Sequence, residues 1–115
     1  MEVSQRDFVY LVDKFNRDPQ EHPYVVLSCK DAILHEGLFT AIMLTNANYD
    51  DLYSFHVSNS MFTRALSSEG QARLHIIASF RTIQVIRSPV SKMKVPDFKR
   101  LLRQINDTVF SLDED

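Results

Sequence analysis

The side chains best equipped for recognition chemistry are nine basic residues crowded into residues 64–105, where only Glu69 and Asp97 oppose them. A guanidinium meets phosphate or carboxylate through paired donors, and an ammonium meets them as a point charge. The candidate binding residues are therefore Arg73, Arg81 and Arg87 on expected strands, with Lys92, Lys94, Lys99, Arg100 and Arg103 on or before the last helix. Residues two apart on a strand share a face, so Arg73, His75, Ser79 and Arg81, continued by Arg87, are expected to form one exposed basic row. Aromatic rings that would stack bases are missing from that row, because Phe80 has the other parity and Phe98 belongs to a core stripe. The competing reading is a solvated face neutralised by residues 1–63, which hold four basic and nine acidic residues. Four further acids lie in residues 106–115, leaving a formal net charge of -2.

Other chemistry is thinner. The histidines His22, His35, His56 and His75 have the only side chains that ordinarily titrate near neutrality, but their spacing matches no local metal-ligand pattern. Cys29 is the single cysteine, which excludes an intrachain disulfide and a multi-cysteine zinc site. It falls in an apolar stretch and is expected as a small buried hydrophobe rather than a nucleophile. Two glycines cannot build a phosphate-cradling loop of the dinucleotide or P-loop type. Asp50 and Asp51, after Asn46, Asn48 and Tyr49, lack EF-hand spacing and suit a turn or a cap. No cofactor is expected.

These residues need a scaffold. At 115 residues and 44% apolar content the chain is expected to form one domain, residues 1–115, with the acidic end 111–115 frayed. It shows no 18-residue apolar run and no signal-peptide pattern, so the expected setting is the reducing cytoplasm, away from membranes. Ser4 and Asp7, followed by Phe8, Leu11, Val12 and Phe15 at helical spacing, predict a helix over 5–16. Residues 24–29 read as a strand; Ile33 and Leu34 pair with 38–44 through a hairpin at Gly37, which needs positive φ. A strand at 52–57 and a helix at 60–67 closed by Gly70 follow, although a continuous helix through 52–66 fits the apolar spacing as well. Alternation marks a strand from Ala72 to about Arg81, with a bulge or a turn near 79–82. Pro96 opens the last helix, whose stripe is Phe98, Leu101, Leu102, Ile105 and Val109.

The expected fold is α+β, an antiparallel sheet of about five strands with helices on one face, ordered α-β-β-β-α-β-β-α. That order is similar to class I type III secretion chaperones, which implies a small acidic homodimer. With no catalytic constellation in view, the expectation is a protein that is not an enzyme: a non-catalytic binding or regulatory protein engaging an acidic partner, most readily another protein, through 64–105. Nucleic-acid binding by the same segment is the alternative.

Overall fold

The computed structural model describes residues 2–12, 19–66 and 70–114. Its fold is α+β, as expected: strands β1 (Phe8–Val12), β2 (Glu21–Val26), β3 (Leu38–Thr45), β4 (Ser54–Val57) and β5 (Gly70–Arg81), with helices α1 (Lys30–Glu36) and α2 (Val95–Thr108). The five strands make one sheet in the order β1-β2-β3-β5-β4, antiparallel at every pairing.

Three elements differ from the sequence expectation, the first two of them within residues 1–37. Residues 8–12 form strand β1, not a helix; 13–16 lie outside the described residues. Phe8-Val9-Tyr10-Leu11-Val12 is an aromatic and β-branched run in which Phe8 and Tyr10 meet one apolar cluster while Val9 and Leu11 meet another. Burial on both faces needs no polar alternation, and the resulting apolar density mimics helical spacing. Ser4 and Asp7 do pair, the Ser4 amide donating to the Asp7 carboxylate at 2.8 Å, but within a turn in which Arg6 takes φ 75°. Residues 30–36 form α1 where a strand and hairpin were expected. Gly37 has the anticipated positive φ, 68°, and uses it to cap α1, its N–H donating to the Ile33 carbonyl. The observed order, which begins β-β-α-β, removes the basis for a likeness to secretion chaperones.

The helices also lie on different faces rather than one. Phe98, Leu101 and Ile105 of α2 join Phe8, Val25, Ile42, Leu44, Phe55, Val57, Phe62, Ala72, Leu74 and Met93; Ile33 of α1 joins the opposite cluster of Val9, Leu11, Tyr24, Val26, Phe39, Ala41 and Phe80. Leu102, expected in the core stripe, is 40% exposed at the stripe's edge. The region expected as helix 60–67 is a 3₁₀ turn at Asn59–Met61, and residue 67 lies outside the described residues. Beyond that turn, Phe62 bridges Met93 while Lys92 bridges Asp7 beside β1, so residues 92–93 draw the two margins of the sheet together over the α2 cluster.

β5 carries the decisive irregularity. Ile42 pairs with Ile77 and Leu44 with Ala72, so two steps along β3 match five along β5. Ala72 and Leu74 consequently face the α2 cluster, whereas Ala78 and Phe80 face the other. The bulge lies within 72–77, and a separate 3₁₀ turn at Thr82–Gln84 follows where a bulge or turn was expected. The bulge inverts the facing of every residue that follows.

Candidate functional site

That inversion dismantles the basic row. Arg73 and Arg81 flank residues of opposite facing and so point to opposite sides of the sheet. Arg73 is buried, not exposed: its guanidinium grips Asp51 through bonds of 2.9 and 3.1 Å, donates to Ser54 Oγ at 2.7 Å and lies 4.0 Å from the centre of the Tyr49 ring. Arg73, together with the Tyr53 amide and the Ser54 hydroxyl, holds the Asp51 carboxyl at a pKa of about 2, below its ordinary 3.8, although desolvation pulls the other way. Arg81 is exposed at the end of β5. Arg87 pairs with Glu21 and stacks 4.1 Å over Tyr10, while Lys92 reaches Asp7 at 3.0 Å. Lys94, Lys99, Arg100 and Arg103 are exposed around α2, with Arg100 on Asp97 at 2.9 Å. The structure does not gather the eight candidates into one patch. Three of them answer carboxylates of the acidic first half.

What the strands do gather is a cleft of about 260 Å³ above the α2 cluster, lined by Phe8 and Tyr10 of β1, His22 and Pro23 of β2, Leu44, Thr45 and Asn46 at the end of β3, Val57, Leu66, Gly70 and Gln71. Its placement follows from register. Leu11 pairs with His22, Thr45 with Gln71, and Gln71 with His56. His22 and Thr45 belong to the neighbouring strands β2 and β3, and both border the cleft. With Gln71 of β5 they do so from three strands, their side chains on the face of the sheet that carries Leu11, opposite Phe8, Leu44 and Val57.

Gly70 makes the close packing at this end possible. A Cβ at that position would stand 2.2 Å from the Thr45 carbonyl oxygen, so no other residue fits without moving β5 from β3. The Thr45 hydroxyl oxygen accepts the Ala47 N–H at 3.1 Å, leaving its own proton to donate elsewhere. The floor is apolar, from Phe8, Leu44 and Val57.

Sequence reasoning passes over these residues. His22 is visible only as one of four scattered histidines, and Thr45, Asn46 and Gln71 carry no motif. The signals that could have found them are polar residues terminating an apolar strand, Leu44-Thr45-Asn46, and a histidine opening the next, His22-Pro23. Cys29, expected buried, is exposed at the N-cap of α1. Among the described residues no three histidine, cysteine or carboxylate groups converge as metal ligands would, and no helix is long and apolar enough to cross a membrane.

No protein-family model and no curated protein matches this sequence. Solved structures do. One chain of a MazE-MazF complex from Deinococcus radiodurans superposes with a TM-score of 0.75 at 11% identity, over 96% of this chain and 98% of that one. An endoribonuclease in complex with its cognate antitoxin, from Mycobacterial species, gives 0.76 at 8% identity over 97% and 99%. MazF alone from Deinococcus radiodurans gives 0.76 at 10% over 96% and 99%. These neighbours overturn the expectation of a non-catalytic binding or regulatory protein, because the fold is one on which an endoribonuclease is built. The exclusion of enzymatic activity falls with it. At these identities the likeness is one of fold, and this chain has the MazF architecture over nearly its whole length.

Proposed function

We propose that the chain is an endoribonuclease that cuts single-stranded RNA in the cleft between Tyr10, His22, Thr45, Asn46 and Gln71. The observation that carries this reading is a cleft with an apolar floor of Phe8, Leu44 and Val57 whose lining also includes Tyr10, His22, Thr45 and Asn46, on a fold shared with an endoribonuclease. RNA brings its own nucleophile, the 2′-hydroxyl beside each phosphodiester. In the proposed step the 2′ oxygen attacks the adjacent phosphorus, the bond to the 5′ oxygen breaks, and a 2′,3′-cyclic phosphate and a 5′-hydroxyl result. His22 takes the 2′ proton as general base and returns one to the departing 5′ oxygen. Thr45 and the Asn46 amide donate to the non-bridging oxygens, where negative charge builds.

Arg87 is the one sequence-predicted binding residue we carry into this site. Its guanidinium lies over Tyr10, a lining residue, and its present partner Glu21 is exposed enough for a phosphate to compete. The protein partner we propose is one that closes the cleft, on the strength of the neighbours bound to antitoxin. A second copy of the chain is also proposed, supported by Leu34, Leu38 and Ile83, exposed around the Thr82 to Gly37 backbone bond. The cytoplasm suits an RNA-directed protein with one exposed thiol.

Incubation with an end-labelled single-stranded RNA tests the reading. Cleavage by the wild type, a drop of about 100-fold or more in kcat for His22→Ala, and no cut in the all-deoxy strand are expected. An intact RNA, or full activity in His22→Ala, overturns it.

A further inference from the structure

The connection between β3 and β4, residues 46–53, exposes side chains that a purely connecting loop has no need to expose: Tyr49 at 47%, Leu52 at 79% and Tyr53 at 39%. Three alternate residues of β5 hold it in place. Gln71 accepts the Tyr49 N–H at 3.1 Å and donates to the Tyr49 carbonyl at 3.0 Å. Arg73 clamps Asp51 and Ser54 and lies against the Tyr49 ring. His75 sits 4.7 Å from the Tyr53 ring, centre to centre.

The consequence is a fixed pair of tyrosine rings, each backed by a cationic or imidazole group of the sheet. Flat π faces held this way suit the stacking of nucleobases, which is tolerant of sequence and loses little entropy when the platform is already ordered. The loop leaves β3 at Asn46, which lines the cleft, and is then held by Gln71 and Arg73 on the opposite face of the sheet.

We propose that Tyr49 and Tyr53 form a base-stacking shelf that receives unpaired nucleotides of an RNA strand adjacent to the one in the cleft. The proposal rests on the endoribonuclease reading for its substrate class. It adds a subsite that selects single-stranded over paired RNA, since only unpaired bases present a free face.

Anisotropy of a labelled 2′-O-methyl single-stranded RNA of about eight nucleotides is the test, because without a free 2′-hydroxyl it is not cut and reads binding alone. Tyr49→Ala combined with Tyr53→Ala should weaken binding at least about tenfold, whereas Tyr49→Phe with Tyr53→Phe should keep it. The chain has four tyrosines and no tryptophan, so stacking is also read as quenching of intrinsic tyrosine fluorescence by the RNA, reduced in the double Phe variant. Unchanged affinity in the double Ala variant, equal losses in the Ala and Phe variants, or no quenching in the wild type overturns the shelf; the loop would then be surface for a protein. Tyrosine-dependent binding of this probe, with the unmodified RNA left uncut, overturns the cleft reading and leaves the shelf standing.

Discussion

Arg73 and Arg103 belong to the same basic stretch of sequence but live in opposite physical circumstances. Arg73 is 8% exposed, with its guanidinium shared among a carboxylate, a hydroxyl and a ring. Arg103 stands on the outer face of α2 in solvent. The first charge is spent on holding the chain's own 46–54 segment, and the second is available to anything that approaches. A positive block counted along a sequence is therefore a sum over two populations. Only the second contributes to long-range attraction, while the first positions other side chains.

The largest effect expected from this contrast is on stability. Arg73→Ala should cost about 1 to 2 kcal/mol, through lost hydrogen bonds and the lost ring contact, and should release Tyr49 and Asp51 from β5. Chemical denaturation checks the figure. A cost near zero would mean that the clamp only decorates the sheet, and that Arg73 behaves like the solvated charges of α2 after all.

A smaller effect is expected in acid. Because the folded pKa of Asp51 is depressed to about 2 from 3.8, its contribution is fully present above about pH 4 and is lost as pH falls through the folded value. The difference in Tm between the wild type and Asp51→Asn should hold constant from neutrality to about pH 4 and shrink towards pH 2. A difference that stays constant to pH 2 would detach Asp51 from the clamp.

The smallest effect belongs to the helix. Replacing Lys94, Lys99 and Arg103 together by Ala should shift stability by no more than about 0.5 kcal/mol per site. It should flatten the salt dependence of RNA binding. A marked loss of stability in that variant would show that the helix charges are tied into the fold in the way Arg73 is.

How much of this is legible in the sequence depends on the range of the interaction involved. Helix α2 is readable because Phe98, Leu101 and Ile105 recur at helical spacing behind Pro96, and the positive φ of Gly37 is readable because glycine permits it. Strand β1 reads wrongly as a helix, since a segment buried on both faces has no period of its own to display. The rings beside the expected basic row are hidden in the same way: Tyr49 and Tyr53 are remote in sequence from Arg73 and His75 and meet them only when β4 pairs with β5.

Local pattern and composition are enough to establish the α+β class, the final helix, the positive φ at Gly37 and the alternation of acidic and basic segments. The tertiary structure decided which basic residues remain available, because a bulge in β5 inverts the facing of Arg73 relative to Arg81. It also decided where the candidate site lies. His22, Thr45 and Gln71 come to border one cleft only through the pairing of three strands, a long-range property set by which apolar faces meet across the sheet.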